Sequence, residues 1–374
     1  MKIVLLGGGS GGHFFPLIAV VDALRKAADE QRIVTLDLTL MGEKPFDVEI
    51  LREEEISFEE IPAGKIRRYF SLLNILDSIK TIRGVFHALW RFTLSPPDLV
   101  FSKGGYDSFP ALVAARIFRI PVIIHESDAV PGMVNAWAAK FARRIGISFP
   151  ETATHFPQDK VALTGNPIRR NILGGSHDEA LDMFDLETGI PTVLIFGGSQ
   201  GAQKINDAVM LALLELVEFV QIIHVTGAMH IEATKAETGI VLEKSIHKGR
   251  YHPYAFLNPA QLRNAAFIGD VAVSRAGAGS IFEIAAWRLP AILIPLSLAA
   301  QDHQRENAYS YARTGAAEVL EETNLTPHVL ISEIRKLTGD QKRRDDMKRA
   351  AGSFARIDAA DKIAREILHL GLHE

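Results

Sequence analysis

The chain has 374 residues, about 2.5 times a typical ~150-residue domain, so two domains are the starting expectation. Hydrophobic residues make up 47% and charged residues 23% of the chain, which supplies folded cores and excludes a disordered or fibrous protein. A net charge of −4 excludes a general nucleic-acid binder, and the absence of cysteine excludes disulfides, thiolate metal sites and a cysteine nucleophile. No signal peptide or membrane-spanning segment is expected, because no apolar run reaches the ~18 residues that a bilayer requires.

The first half of the chain alternates short apolar runs with amphipathic segments. Lys2–Leu6 predicts a strand, and Leu17, Val21 and Leu24 after Pro16 predict the helix that follows it. Four further strands are predicted at Asp98–Ser102, Pro121–Glu126, Arg143–Ser148 and Val161–Gly165. Such alternation indicates a parallel sheet with helices on both faces.

The second half repeats the beginning of the first. Thr192–Phe196 runs into a glycine cluster, and Gly197-Gly198-Ser199 follows Gly8-Gly9-Ser10 at an offset of 189 residues. Strands are predicted at Gln221–Gly227, Val271–Ser274 and Ala291–Leu296. We therefore expect two doubly wound domains, residues 1–165 with a helix of about 350–374 folding back onto it, and residues 166–349.

Glycine clusters follow several predicted strands, where an open parallel sheet binds ligands. Their amide groups approach anions closely, and helix dipoles favour negative charge there, although a tight turn without ligand is the alternative. The first cluster matches G-x-G-x-x-G, but the first acid that closes a second strand, Glu43, lies 31 residues after Gly12, which argues against a dinucleotide fold. The clusters are Gly7–Gly12, Gly104-Gly105-Tyr106, Gly197–Gly201 and Gly277-Ala278-Gly279-Ser280.

A few side chains beside these clusters could take part in catalysis or in ligand binding. His13 could accept a proton from an attacking hydroxyl, or merely cap its helix. Glu283 could bind a ribose diol, or only complement the helix dipole, and Arg169 suits a diphosphate. Glu126 and Asp128 add carboxylates at another strand end. No D-x-D pair occurs, so the sequence predicts no metal site.

The segment from Lys65 to Phe92 has six basic residues and one acid. Its apolar residues form one helical stripe, and its basic residues form another beside it. A basic amphipathic helix suits an anionic membrane surface, while an apolar stripe buried in the core is the alternative. The apolar stripe comprises Ile75, Ile79, Ile82, Phe86 and Leu89, and the basic one Lys80, Arg83, His87 and Arg91.

Taken together, these motifs resemble those of the MurG-type family of UDP-GlcNAc transferases, and they run in order over nearly the whole chain. Asp128 stands where the family often has asparagine. The motifs are Gly7-Gly8-Gly9-Ser10-Gly11-Gly12-His13, Lys103-Gly104-Gly105-Tyr106, the run from His125 to Gly132, Thr164-Gly165-Asn166-Pro167-Ile168-Arg169, Gly197-Gly198-Ser199-Gln200-Gly201-Ala202, the run from Arg275 to Glu283, and the run from Asp302 to Ala308.

The resemblance implies a GT-B fold, with two Rossmann-like doubly wound parallel-sheet domains facing a deep cleft. It implies inverting transfer of GlcNAc from UDP-GlcNAc to the muramyl 4-hydroxyl of undecaprenyl-diphospho-MurNAc-pentapeptide, without metal or cofactor. The enzyme would serve cell-wall biogenesis, and hence cell shape and division, on the cytoplasmic face of the bacterial plasma membrane.

The resemblance also implies roles for individual residues, with His13 as the candidate base. Ser10, Gly11 and Gly12 would approach the donor, Arg169 and Ser199 its diphosphate, and Leu257 its uracil. The acceptor diphosphate would face the first two glycine clusters. The remaining substrate-binding candidates are Gly104, Gly105, Tyr106, Glu126, Asp128, Gln200, Gly201, Ala278, Gly279, Ser280, Ile281, Phe282, Glu283 at the ribose and Gln304 at the GlcNAc hydroxyls.

Other functions remain open on the sequence alone. The acceptor could be another lipid, such as diacylglycerol. A nucleotide-sugar epimerase would share the two-domain architecture but need no acceptor. An NAD(P)-dependent oxidoreductase and a non-catalytic nucleotide-binding module are further alternatives, and the latter would leave His13, Arg169 and Glu283 without a role.

Overall fold

The computed structural model describes residues 1–64, 73–198, 202–297 and 302–373. Its contacts divide the chain into two compact units: unit 1 comprises Met1–Arg169 and Arg356–Glu374, and unit 2 comprises Arg170–Ala355. The division after Arg169 falls four residues later than the sequence predicted, so Arg169 belongs to the first unit. Among the described residues, no helix combines the length and the apolar character needed to cross a membrane.

Unit 1 is built on a parallel sheet whose described strands follow the order β3-β2-β1-β4-β5-β6-β7. The central strands are fully buried, as expected when helices cover both faces of a sheet. The strands are β1 Lys2–Leu6, β2 Asp37–Gly42, β3 Ser57–Glu60, β4 Leu99–Ser102, β5 Val122–Glu126, β6 Arg144–Ile147 and β7 Val161–Leu163.

Helices cover both faces of this sheet. The first and last helices pack against each other on one face, where Phe14, Val20, Ile363 and Ile367 belong to the same core. The third and fourth helices pack on the other face. The helices of unit 1 are α1 Gly11–Glu30, α2 Val48–Glu53, α3 Leu73–Leu94, α4 Phe109–Phe118, α5 Met133–Ala138 and, at the end of the chain, α14 Ala359–His373.

Unit 2 repeats the same design, with described strands in the order β10-β9-β8-β11-β12-β13, all parallel. Ile205, Val209, Leu213 and Leu216 recur at helical spacing and line the buried face of α7. The strands are β8 Thr192–Phe196, β9 Gln221–Val225, β10 Tyr251–Tyr254, β11 Val271–Ser274, β12 Ala291–Leu293 and β13 Ala317–Val319. The helices are α6 His177–Phe184, α7 Gln203–Leu216, α8 Ile231–Val241, α9 Pro259–Ile268, α10 Ala278–Trp287, α11 His303–Ala312, α12 Pro327–Gly339 and α13 Gln341–Phe354.

The strand orders place a topological switch point in each sheet. In both units the chain winds outward in one direction from the first strand and then returns to wind in the other. The switch lies between β1 and β4 in unit 1 and between β8 and β11 in unit 2. Ligands of doubly wound sheets bind at the carboxyl ends of the strands beside such a point.

Candidate active site

The predicted glycine clusters flank the two switch points. Gly7–Gly12 follows β1 and Gly104-Gly105 follows β4, while Gly197-Gly198 follows β8 and Gly277–Gly279 follows β11. Each unit therefore carries two glycine-containing loops, side by side, where the fold places a ligand.

In unit 1 the two loops touch each other. A Cβ built on Gly7 would lie 2.8 Å from the carbonyl oxygen of Gly104, and one built on Gly105 would lie 3.6 Å from Nδ1 of His13. The backbone at Gly7, Gly104 and Gly105 has positive φ, which favours glycine. The predicted base thus lies directly beside the second glycine loop.

The N-terminus of α1 lies at the first glycine loop. Among the described residues, the N-cap residue Ser10 makes no side-chain capping bond, and no neighbour lies within 4 Å of a Cβ built on Gly12. Amide groups in the first turn of a helix have no intrahelical acceptor and favour an anion. Ser10, Gly11 and Gly12 are therefore placed as an anion-binding helix terminus requires.

A buried lysine, to which the motifs assigned no role, lies beside these loops. Lys103 is 1% exposed, and its Nζ lies 2.6 Å from His125 Nδ1 and 2.9 Å from Asn166 Oδ1. Because an ammonium group only donates, we assign the His125 hydrogen to Nε2, which lies 2.9 Å from the Gly165 carbonyl oxygen. Lys103 thus connects the ends of β4, β5 and β7.

Two pKa values in this region are shifted strongly by burial. Burial lowers the pKa of Lys103 to about 7, against the opposing charges of Glu126 and Asp128. Burial and the charge of Lys103 also hold the pKa of His125 well below its ordinary value, so that His125 stays neutral. The loop-bearing edge of this sheet therefore contains a cation that titrates near neutral pH.

Glu126 shapes the loop that follows β5. Its carboxylate accepts hydrogen bonds from the backbone amides of Asp128 and Gly132, at 3.1 and 3.0 Å, and from Asn135 Nδ2 at 2.9 Å. Burial, aided by the charge of Asp128, raises the pKa of Glu126 to about 7. Glu126 is 5% exposed, whereas Asp128 is only half-buried, so Asp128 is the more accessible of these two predicted contacts.

A second acid that the sequence analysis missed faces the glycine loops. Asp107 follows Tyr106 directly, and its Oδ2 would lie 3.1 Å from a Cβ on Gly9 and its Oδ1 2.8 Å from one on Gly105. Burial raises the pKa of Asp107 to about 6, although the backbone amides of Asp107 and Ser108 oppose the shift. A carboxylate therefore lies against the loops that were predicted to bind a diphosphate.

Tyr106 and Arg169 are both held by neighbours within unit 1. The Tyr106 hydroxyl donates to Glu43 Oε2 at 2.8 Å, and burial raises its pKa. The Arg169 guanidinium carbon lies 3.9 Å from the ring centroid of Phe15, two residues after His13 on α1. Arg169 is thus positioned on the helix that begins at the first glycine loop.

In unit 2, α10 begins at the loop after β11 with Gly277 as its N-cap residue, which has no side chain to cap it. Gly279 and Ser280 are half-buried, as is Glu283 further along the helix. The side chains of Ile281 and Phe282 are instead in the core, and Leu257 is 3% exposed, so these three offer a ligand mainly their backbone. Gln304 accepts a hydrogen bond from the Leu296 amide through Oε1 at 3.1 Å.

Three predicted contacts, Ser199, Gln200 and Gly201, lie outside the described residues, as do residues 65–72 of the basic segment. Within the part of the chain that is described, no group of three or more His, Asp or Glu side chains is arranged to hold a metal ion.

Two family models match the chain: the glycosyltransferase family 28 N-terminal domain over residues 3–147 and the C-terminal domain over residues 192–363. A Bacillus thuringiensis protein named UDP-N-acetylglucosamine–N-acetylmuramyl-(pentapeptide) pyrophosphoryl-undecaprenol N-acetylglucosamine transferase 3 is 36% identical over 90% of this chain and 91% of its own. The chain belongs to the MurG-type family of UDP-GlcNAc transferases. The predicted two-domain GT-B fold is confirmed.

Solved structures agree with this membership. MurG of Acinetobacter baumannii superposes with a TM-score of 0.74 at 26% identity, covering 98% of this chain and 99% of that one. A UDP-GlcNAc 2-epimerase from Neisseria meningitidis reaches a TM-score of 0.67 at 13% identity, covering 99% and 100%. The likeness to the epimerase shows the fold alone, because the two sequences are only 13% identical. The 36% identity to the MurG-type relative is what assigns the chain to the transferase family.

Proposed function

We propose that this chain transfers GlcNAc from UDP-GlcNAc to the 4-hydroxyl of MurNAc in undecaprenyl-diphospho-MurNAc-pentapeptide. The observation that carries the proposal is the 36% identity to a transferase of that name over nine-tenths of both chains. Glycine loops at both switch points support it, since one unit can bind the nucleotide of the donor and the other the diphosphate of the acceptor.

The reaction is a single displacement with inversion. The muramyl 4-oxygen attacks C1 of GlcNAc, the bond from C1 to the UDP oxygen breaks with its electron pair, and His13 accepts the hydroxyl proton. His13 is suited to this role because imidazole accepts a proton near neutral pH and the residue lies beside the second glycine loop. Amide groups and helix dipoles stabilise the negative charge that develops on the leaving UDP.

The two substrates divide between the units in this proposal. Unit 2 binds the donor through the α10 terminus, with Glu283 at the ribose and Gln304 at the sugar. Unit 1 holds the acceptor diphosphate at the loops after β1 and β4, with Arg169 and the terminus of α1 contributing to the donor diphosphate. Asp128 contacts the GlcNAc as an acceptor of hydrogen bonds.

A turnover assay separates this function from its alternatives. The protein is incubated with UDP-GlcNAc and a lipid-linked muramyl acceptor in EDTA, and UDP release is measured together with product mass. We expect a disaccharide product and no UDP release without acceptor. Isomerised UDP-GlcNAc in the absence of acceptor would establish an epimerase, and a diacylglycerol product would establish another acceptor. A strict requirement for magnesium would overturn the metal-free mechanism.

We further propose that α3 lies on an anionic membrane surface. Apolar side chains on one face of this helix are 52–69% exposed, which argues against the alternative that the stripe is buried in the core. A contiguous exposed apolar surface of this kind is unusual on a monomer and is typical of an interaction site. Leu89 of the predicted stripe is partly buried against the core of unit 1 instead. The exposed residues are Ile75, Leu76, Ile79, Ile82, Phe86 and Trp90.

The basic stripe contributes less charge than the sequence suggested. Lys80 forms an ion pair with Glu43, and Glu59 on β3 contacts both His87, at 3.2 Å, and Arg91, at 2.9 Å. Arg83 is exposed and belongs to the same stripe. Membrane affinity should therefore depend on the apolar side chains more than on the net charge.

Vesicle sedimentation tests this surface. The double variant Ile79→Asp/Phe86→Asp should lose binding to anionic vesicles by about tenfold or more, because two apolar side chains no longer enter the interface. Leu211→Asp/Leu214→Asp is the matched control, since both leucines are exposed on α7 of unit 2. Equal loss in both pairs, or no loss in the first, would contradict the assignment to α3.

A further inference from the structure

A buried carboxylate joins three loops at the ligand edge of unit 2. Glu322 lies just after β13, and its side chain is 2% exposed. One carboxylate oxygen lies 2.5 Å from Nη2 of Arg275, and the other 3.0 Å from Nζ of Lys204; Ser297 Oγ also donates to it. Glu322 therefore has a donor from each of three separate segments.

Each of these donors lies in or beside a segment that contains residues expected to bind UDP-GlcNAc. Arg275 directly follows β11 and begins the segment that leads into α10. Lys204 is the second residue of α7, which follows the glycine loop after β8. Ser297 follows β12 in the segment that leads to Gln304. The carboxyl ends of parallel strands meet at one edge, so one side chain can reach all three.

Arg275 extends the same network into the sheet edge. Its Nη1 donates to the carbonyl oxygens of Ile294 and Pro295, at 3.2 and 3.5 Å, so the guanidinium binds Glu322 and the backbone after β12 together. The guanidinium has a fixed fork of donors and holds these groups in one geometry. The two cations and one anion sum to a positive charge, which suits a site for a nucleoside diphosphate.

We propose that Glu322 is a positioning residue of the donor site, which holds Lys204 at the start of α7, Arg275 after β11 and Ser297 after β12 in one arrangement before UDP-GlcNAc binds. The inference rests on the proposed function, because that function assigns residues of these segments to the donor. Glu322 itself contacts no reacting atom; it acts through Arg275, Lys204 and Ser297. Such preorganisation increases the affinity for UDP, because the protein does not have to order these segments when the ligand binds.

The test compares Glu322→Gln with wild type by calorimetry with UDP and by steady-state kinetics. We expect the Kd for UDP and the KM for UDP-GlcNAc to rise about tenfold, as for loss of a charged hydrogen bond, with the KM for the acceptor unchanged. Glu318→Gln is the matched control: Glu318 lies on β13 and binds Lys336 and Arg343, outside the donor loops.

The melting temperature of each variant is measured without ligand, since Glu322→Gln also leaves a buried arginine less well paired. If that variant does not fold, Ser297→Ala and Lys204→Met each remove one donor and keep the pair of Arg275 with Glu322. Each should raise the Kd for UDP about threefold.

The outcomes separate this inference from the proposed function. Wild-type affinity for UDP in the folded Glu322 variant, or in both single-donor variants, would overturn the positioning role while leaving the transferase intact. Parallel increases in both KM values would do the same, because they indicate a general structural defect. A wild-type protein that neither binds UDP nor transfers GlcNAc would overturn the proposed function and this inference with it.

Discussion

In unit 1 the loops at the carboxyl edge of the sheet converge on Lys103, and in unit 2 they converge on Glu322. Lys103 connects His125 and Asn166, at the ends of β5 and β7, to the glycine loop after β4. Glu322 receives its donors from the segments after β8, β11 and β12. Two copies of one strand order thus use buried charges of opposite sign for the same structural task.

The two charges respond differently to pH. Burial alone would raise the pKa of Glu322, but hydrogen bonds from Ser297, Arg275 and Lys204 outweigh it and lower the pKa to about 2. For Lys103, burial outweighs the opposing charges of Glu126 and Asp128 and lowers the pKa to about 7. Glu322 therefore keeps its charge at physiological pH, whereas Lys103 titrates near neutral pH.

The largest expected effect is a loss of kcat in a His13 variant, which tests whether unit 1 supplies the catalytic base. His13→Ala should lower kcat by about 100-fold or more, because a general base contributes that much, and leave the Kd for UDP unchanged. Steady-state kinetics and calorimetry on the same preparation measure the two quantities. His155→Ala, an exposed histidine of the same unit, should behave as wild type. Weaker UDP binding with normal kcat would move His13 to a binding role.

The next effect tests the titration of Lys103. An unfolded lysine holds its proton up to its ordinary pKa of 10.5, whereas folded Lys103 releases it near pH 7. Between these values the unfolded chain binds more protons, so the free energy of unfolding rises with pH, by at most about 1.4 kcal/mol per pH unit. Below pH 7 both states are protonated and the slope from Lys103 vanishes.

Lys103→Met should abolish this rise, and the exposed Lys140→Met should retain it. The measurement is urea unfolding from pH 7 to 9.5 in a Trp287→Phe background, so that Trp90 and Trp137 report on unit 1 alone. The same slope in Lys103→Met as in wild type would show that other groups cause it.

A smaller effect tests donor binding by unit 2. Glu283→Ala should raise the Kd for UDP about tenfold, since a carboxylate that binds the ribose diol contributes a charged hydrogen bond. Calorimetry in EDTA measures it, with the exposed Glu237→Ala of α8 as control. Affinity equal to wild type would remove Glu283 from the ribose.

Apolar runs and glycine clusters predicted the interior of both sheets. The sequence analysis gave no strand for β3, β10 or β13, each at the edge of its sheet, and it implied β2 only through Glu43, the acid that closes it. Edge strands are half-exposed and short: Ser57–Glu60 reads SFEE, and Tyr251–Tyr254 contains a proline that a central strand would exclude. Their place depends on the neighbouring strand, so local periodicity carries little signal for them.

The glycine loops were visible in the sequence, but the charges that hold them were not. Glu322 binds Arg275 across 47 residues, and spacing along the chain cannot predict such a pair. Lys103 belongs to the motif Lys103-Gly104-Gly105-Tyr106, but the motif alone does not predict that its side chain is buried. A lysine immediately before a double glycine at a strand end, and an acid just after it at Asp107, are the available local signals.

The smallest predicted effect is a pH-dependent change in the acceptor KM that is caused by Asp107. It tests whether the loops after β1 and β4 bind the acceptor. Its carboxylate faces Gly9, Gly42 and Gly105, so it should repel an acceptor diphosphate when ionised. Burial raises the pKa of Asp107 to about 6, so the repulsion is present above that pH and is lost as pH falls through it. The KM for the acceptor should therefore fall about threefold from pH 8 to 5.5, as expected for a partly screened charge.

Asp107→Asn should give the low acceptor KM at every pH, with an unchanged Kd for UDP, because the amide resembles the protonated acid in shape and carries no charge. Asp37→Asn, at the exposed start of β2, should keep the wild-type pH dependence. If the acceptor KM of Asp107→Asn still decreases as the pH is lowered, another group causes the pH dependence. Glu126, whose pKa burial raises to about 7, is then the next residue to replace. If instead the Kd for UDP changes, Asp107 acts on the donor diphosphate at the α1 terminus, and its assignment to the acceptor is wrong.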